Sequence, residues 1–247
     1  MRIPNRKLVL LHCAFLLAIV GAGATSTAAQ ANADDSQYTR LNTWAFFAEY
    51  APNSSHMVLG VSEQRRLVTA GAEWDRRITR NDKVEFDWVI QVRPFALESD
   101  PVFIGFKNTA TNQIVVPATP TRVITVEHGI FPLAGGATAT QAYTRQWTYA
   151  GGLNPLGFKF NFRPRHRVQP VFTAIGGFLR STRDIPVENV SDFNFDFEFG
   201  VGIEAYVSNT RSLRVSWSFH HISDAYISSL NPGIDQGLIQ ISYAFGH

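Results

Sequence analysis

The sequence predicts an all-β protein, an eight-stranded antiparallel outer-membrane β-barrel. Three observations lead to this fold class. Seven segments alternate between apolar and polar residues, which is the period-two pattern of β-strands, and an eighth, 168–179, is mostly apolar with an ambiguous phase. Acidic residues recur on the polar faces of these segments, and a closed barrel packs its polar side chains in a narrow interior. The connections between the segments alternate between short and long, as they do in outer-membrane barrels.

The N-terminus has the pattern of a secretory signal peptide, which we expect to be removed over residues 1–31. The chain begins with basic residues, continues with an apolar run at 8–20, and then has small residues that end at Ala31. Cys13, the only cysteine, lies in the apolar run, so the mature chain has no thiol. Three of the 22 basic residues are lost with this segment and none of the 20 acidic ones, which leaves residues 32–247 nearly neutral. This charge does not indicate nucleic-acid binding. Residues 32–247 are predicted to form a single barrel domain with long outer loops.

Eight segments of the remaining chain are predicted strands, and most reach the roughly 9–11 residues that a membrane-crossing strand needs. The segments are 42–50, 67–76, 84–92, 156–162, 168–179, 193–205, 212–222 and 237–245. The segment 193–205 has the clearest pattern, with apolar residues at seven odd positions. Asp196, Glu198 and Glu204 lie on its other face.

A soluble β-sandwich would alternate in the same way, but its polar face would meet bulk water. The repeated acids on the polar faces favour a barrel interior, where they would pair with basic residues. Aromatic residues near the strand ends are typical of the girdles at a membrane interface. The residues assigned to these girdles are Tyr50, Trp74, Tyr206 and Tyr243.

Short turns are predicted at 79–82, 164–167 and 208–211, and long connections at 51–64, 96–145, 179–192 and 224–234. With both chain ends in the periplasm, every long connection would lie outside the cell. Within 98–150, the segments 114–116, 123–126 and 146–149 would either form local hairpins or extend the fourth strand across 151–155.

Three polar residues fall where apolar residues are expected. The apolar parity of the strand at 212–222 continues through Phe219 into His221 and Ser223. A base and a hydroxyl two residues apart on a strand lie on the same face, which is the first requirement for an activated serine. Asp235 opens the last strand on its apolar parity, so its carboxylate would reach the second nitrogen of His221. The three residues are the candidate catalytic groups.

The stretch H-I-S-D-A at 221–225, followed by N-P-G-I-D at 231–235, resembles the lipid A 3-O-deacylases, the PagL-type acyloxyacyl hydrolases. The resemblance implies an eight-stranded outer-membrane barrel that hydrolyses an ester-linked acyl chain with a Ser-His-acid triad. It implies that His221 is the general base, Ser223 the nucleophile and Asp235 the orienting acid. The candidate oxyanion or substrate contacts are Asp224, Ala225, Asn231 and Gly233.

Two positions depart from the family pattern. The best-known member of the family has a glutamate where this chain has Asp235. Members of the family commonly have an asparagine, implicated in the oxyanion hole, where this chain has Asp224. An ionised Asp224 would repel a developing oxyanion, and loss of one donor costs about 10²–10³ in rate. The oxyanion would then be bound by backbone N–H groups near 224–226 or by a protonated Asp224.

The sequence therefore predicts an outer-membrane esterase acting on lipid A of lipopolysaccharide, without a cofactor, a metal or a nucleic-acid partner. A non-enzymatic barrel with a structural or partner-binding role is the alternative from another class. A secreted soluble β-sandwich is the third.

Overall fold

The computed structural model describes residues 38–247, so the predicted signal peptide lies outside the described residues. Ten strands form one antiparallel sheet, with a 3-10 turn at Ala134–Gly136. In chain order the strands are β1 (Asn42–Ala51), β2 (Arg66–Arg80), β3 (Val84–Asn108), β4 (Ile114–Arg122), β5 (Ile130–Pro132), β6 (Thr138–Phe162), β7 (Val168–Ile185), β8 (Ser191–Ser208), β9 (Arg211–Ser223) and β10 (Ile234–Gly246).

Eight of these strands close into a ring. The hydrogen-bonded order is β1-β2-β3-β6-β7-β8-β9-β10, and β10 pairs back to β1. In the closing pair Trp44 lies opposite Phe245, and Tyr50 lies opposite Ile239. Closure leaves no unpaired strand edge in the ring. The predicted fold class, an all-β eight-stranded antiparallel barrel, is confirmed.

The barrel is apolar outside and polar inside. On β9, Leu213, Val215 and Trp217 are 47%, 55% and 49% exposed, while the serines and the arginine between them are buried. A sandwich in water would have the opposite arrangement, because its buried side chains are the apolar ones. An apolar belt around a closed barrel suits contact with hydrocarbon. No helix within residues 38–247 is both long and apolar enough to cross a bilayer.

Ion pairs fill the middle of the barrel. Arg93 lies 2.7 Å from Asp196, 2.6 Å from Glu198 and 3.3 Å from Glu49, and all four side chains are buried. Nearer the short turns, Lys159 pairs with Asp75, Asp87 and Glu204, while Arg214 pairs with Glu73. Asp196, Glu198 and Glu204 are thus inside, as the alternating pattern predicted, and burying such acids requires basic partners.

The end of the barrel that carries the long connections is called the loop end here. Its interior is closed by a cluster of buried apolar side chains, which are Ala51, Leu67, Ala96, Ala150, Leu179, Ile185, Ile222, Ile234 and Leu238. Ile222 and Ile234 lie opposite each other on β9 and β10 and are 2% and 1% exposed. Since adjacent side chains on a strand point to opposite faces, their neighbours His221 and Asp235 point outward.

β3 and β6 continue well past the ring and are much longer than the predicted strands at 84–92 and 156–162. Each strand has 25 residues, and they remain paired from Val84–Phe162 to Asn108–Ala139. β4 pairs with β3 and β5 with β6 in this extension. Segment 146–149 therefore extends the fourth barrel strand, as one alternative held, whereas 123–126 is not a strand.

Two predictions are wrong, one about the length of a connection and one about an aromatic girdle residue. The predicted long connection at 179–192 is a short one, 186–190, because β7 and β8 continue into it. Tyr206 is not a girdle residue, because it is 2% exposed and lies inside the barrel on the parity of Glu204. Arg40 lies over its ring, 4.7 Å from the centroid.

Candidate active site

The candidate residues meet where β9 ends and β10 begins, at the loop end of the barrel. His221 and Asp235 are directly opposite each other in the antiparallel register of these strands. Farther down the same pair, Trp217 lies opposite Ile239, and both are exposed on the outer face. Because side chains alternate along a strand, His221 and Asp235 share that outer face. The adjacent His220 points inward, 3.4 Å from Asp196.

His221 and Asp235 form a short hydrogen bond. Nδ1 of His221 lies 2.6 Å from Oδ1 of Asp235. A carboxylate accepts the proton of Nδ1–H, which leaves Nε2 as the free basic nitrogen of the ring. The imidazole also packs against Phe197 of β8, with ring centroids 5.0 Å apart. The acid and the aromatic ring together fix the orientation of the base.

Asp235 is fully buried although it points to the outside of the barrel. The connection between β1 and β2 covers it, and the backbone N–H groups of Val58 and Leu59 donate to Oδ2 at 2.7 and 2.8 Å. One carboxylate oxygen therefore faces the histidine while the other is held by two amides. Hydrogen bonds to an ionised acceptor are the stronger kind, so this arrangement favours the charged carboxylate.

Ser223 is the last residue of β9, two residues beyond His221 and on the same face. It lies opposite Phe195 of β8 and is half-buried. In the described part of the chain, its hydroxyl group makes no hydrogen bond. The structure thus brings the acid and the base into contact and places the serine beside them on one face.

Asp224 organises the turn that follows β9. Its Oδ1 accepts the N–H of Tyr226 at 3.0 Å, and its Oδ2 accepts the N–H of Ser228 at 3.1 Å and also the Ser228 hydroxyl. The side chain is 2% exposed. Both oxygens are engaged within the turn, as in other Asx-type turns. Tyr226 N–H is also committed there, so it is not free to bind an oxyanion.

Of the other candidate contacts, Gly233 has the most specific environment. Its φ is +53°, and a Cβ there would lie 3.0 Å from Cε1 of His221. A larger residue would therefore crowd the imidazole, which explains a glycine at this turn. Ala225 is exposed with φ +52°, and Asn231 is half-buried.

The contacts of Val58 and Leu59 with Asp235 were not predicted from the sequence. Segment 54–62 has no period-two pattern, and the donors are backbone groups that any residue supplies. The glycine at position 60 was the one available indication of a close backbone approach. Within residues 38–247, no group of three or more His, Cys, Asp or Glu side chains is arranged to hold a metal ion.

Comparisons with solved structures gave similar outer-membrane proteins. The outer membrane enzyme PagL shares 12% identity, covering 82% of this chain and 99% of that one, with a TM-score of 0.47. Neisserial surface protein A (NspA) shares 12% identity, covering 83% and 96%, with a TM-score of 0.38. OprG from Pseudomonas aeruginosa shares 9% identity, covering 85% and 99%, with a TM-score of 0.39. No curated protein sequence matched the chain.

A comparison with protein families gave a match to lipid A 3-O-deacylase (PagL) over residues 126–244. The matched region contains His221, Ser223 and Asp235, together with β5, β6, β7, β8, β9 and most of β10. The covering segment with Val58 and Leu59 lies outside it. The resemblance carried by the sequence is confirmed: over residues 126–244 this chain matches the lipid A 3-O-deacylase (PagL) family.

Proposed function

We propose that the protein is an outer-membrane esterase that removes an ester-linked acyl chain from lipid A. The family match and the barrel architecture support an outer-membrane location. The single observation that carries the chemical proposal is the 2.6 Å contact between His221 Nδ1 and Asp235 Oδ1 on the outer face of the barrel. Ionisable side chains on the outer face of a membrane barrel are costly, so their presence there is a mark of function.

His221, Ser223 and Asp235 take the three roles of a serine hydrolase in this proposal. Nε2 of His221 accepts the proton of Ser223 Oγ as that oxygen attacks the ester carbonyl carbon. The tetrahedral intermediate breaks its bond to the sugar oxygen, which receives the proton from His221. The acyl group is then bound to Ser223. Water, deprotonated by the same histidine, releases it as a fatty acid and restores the serine.

Asp235 supports both steps through the histidine. It holds the tautomer with the proton on Nδ1, and it stabilises the imidazolium that forms when Nε2 is protonated. The amides of Val58 and Leu59 keep the carboxylate in place during this change.

The oxyanion is assigned to backbone donors. The hydrogen bonds inside the turn after β9 use the N–H groups of Tyr226, Ile227 and Ser228. The N–H groups of Asp224 and Ala225 are not among those donors, and they follow directly on the nucleophile. We assign them to the oxyanion, because preorganised backbone donors are a common solution in acyl transfer. The carboxylate of Asp224 is a turn-forming group in this scheme.

A Ser223→Ala variant tests the proposal. Cells expressing the wild-type protein should contain lipid A that is lighter by one acyl chain, and cells expressing Ser223→Ala should contain unaltered lipid A, both by mass spectrometry. Ser229→Ala is the matched control, because Ser229 is exposed on the same connection and should leave deacylation intact. Unaltered lipid A in wild-type cells, with the protein folded in the outer membrane by heat-dependent electrophoretic mobility, would favour the non-enzymatic alternative.

A further inference from the structure

The connection between β1 and β2, residues 52–65, folds over the outer face of β10, and we call it the covering loop. It adds to the rim of the sheet by backbone hydrogen bonds. Ser55 N–H donates to the carbonyl of Asp235 at 3.2 Å, and Val61 N–H donates to the carbonyl of Pro232 at 2.7 Å. Since the Asp235 side chain points out of the barrel, the segment that contacts its carboxylate lies outside the barrel wall.

The backbone of the covering loop lies tightly against the acid. Val58 and Leu59 donate their N–H groups to Asp235 Oδ2. A Cβ at Gly60 would lie 2.5 Å from the backbone nitrogen of Asp235 and 2.9 Å from its Oδ1. Only a glycine therefore permits this approach. The carboxylate owes its burial to this segment, because the strand alone would leave it on an exposed face.

The side chains of the same segment point away from the protein. Met57, Val58 and Leu59 are 42%, 66% and 58% exposed, although their backbone is in contact with a buried acid. Ile239, on the outer face of β10 below them, is 50% exposed. The three side chains therefore extend the apolar belt of the barrel. Continuity with a lipid-facing surface indicates that hydrocarbon covers them, since such a group exposed to water is unfavourable.

We propose that the covering loop is a positioning element of the candidate site whose backbone holds Asp235 while its apolar side chains bind acyl chains of the outer leaflet. This inference rests on the proposed esterase function. The covering loop would then affect catalysis in two separable ways. Contact between the backbone and the acid governs turnover of any ester, whereas contact between the side chains and hydrocarbon governs the use of esters in a bilayer.

Two variants separate these effects. Gly60→Ala forces the backbone away from Asp235 and keeps the apolar side chains. Val58→Ser combined with Leu59→Ser removes the apolar side chains and keeps both N–H donors. Val115→Ser is the matched control, because Val115 is a 45% exposed valine on β4, which is separated from β10 by β3, β2 and β1 in the sheet. Each protein is assayed in phospholipid vesicles with p-nitrophenyl butyrate, which is soluble, and with lipid A carried in the vesicles.

Gly60→Ala should lower kcat about 100-fold on both substrates, because a displacement of about 1 Å is enough for such a loss. The double serine variant should lower kcat/KM for lipid A about tenfold more than for p-nitrophenyl butyrate, mainly through KM. Val115→Ser should match the wild type. Correct folding is checked by heat-dependent mobility, and the double variant remains informative if Gly60→Ala does not fold.

Equal losses on the two substrates in the double serine variant would overturn the lipid-binding role. Wild-type turnover by a folded Gly60→Ala protein would overturn the positioning role. A wild-type protein that hydrolyses neither substrate would overturn the proposed function itself, which distinguishes that failure from a failure of the loop.

Discussion

His221 and Asp235 lie directly opposite each other on β9 and β10, and their side chains meet outside the barrel with Nδ1 and Oδ1 2.6 Å apart. The register of the two strands sets this pairing, and the inward-facing Ile222 and Ile234 hold that register. Slippage by one residue would turn every side chain of a strand to the opposite face. The contact therefore depends on the register of β9 and β10.

An Asp235→Asn variant should lose activity while the barrel remains folded. The amide oxygen can still accept the N–H groups of Val58 and Leu59, but an NH₂ group facing His221 would place the ring proton on the wrong nitrogen. The analogous change in serine proteases lowers kcat about 10⁴-fold. Steady-state hydrolysis of p-nitrophenyl butyrate measures the loss. Asp192→Asn, a change at a partly exposed acid of β8, should leave turnover unaltered. Full activity of Asp235→Asn would remove this acid from the mechanism.

Arg93→Met should destabilise the barrel strongly. The guanidinium of Arg93 contacts Glu49, Asp196 and Glu198 in the interior, so its removal leaves three buried carboxylates without their shared cation. Breaking a buried ion pair in this way costs about 3–5 kcal/mol. Urea unfolding in vesicles, followed by tryptophan fluorescence, measures the change. Arg180→Met removes the exposed pair with Asp192 and should cost about 0–1 kcal/mol. Similar losses in both variants would contradict the interior network.

The sidedness of the barrel is testable because Cys13 is the only cysteine, and it lies in the predicted signal peptide. Thr111→Cys places a thiol at the tip of the β3–β4 connection, and Asn209→Cys places one in the short turn between β8 and β9. Intact cells treated with a membrane-impermeant maleimide should be labelled at position 111 and protected at position 209. Both sites should react after lysis. The reverse pattern in intact cells would put the candidate site in the periplasm.

The alternating pattern was sufficient to predict the ring, because each barrel strand has one face toward hydrocarbon and one toward a packed polar interior. The strand at 193–205 shows this directly, and its acids are paired inside the barrel with Arg93, Lys159 and Arg40. The pattern also predicted the face on which His221 and Asp235 lie. Parity would have placed Tyr206 inside with Glu204 as well, but a general preference for aromatic residues at interfaces led to the wrong assignment.

Beyond the barrel wall, the alternation no longer applies. The upper halves of β3 and β6 are held by β4 and β5 and by buried polar groups such as Arg65 with Asp100, which no period reveals. The covering loop was not predicted because its contacts with Asp235 are made by main-chain N–H groups. The role of Asp224 was also hidden, since its partners in the turn include backbone amides and a serine hydroxyl.

The closing pair of β1 and β10 has a consequence for the timing of catalysis. The acid belongs to the last strand of the chain, and the segment that holds it directly follows the first strand. Val58 and Leu59 are 177 and 176 residues from Asp235 in the sequence, and they meet it only when β1 pairs with β10 and closes the barrel. In the proposed mechanism the acid is therefore held only in a closed barrel, and we expect the hydrolase to become competent when the barrel closes.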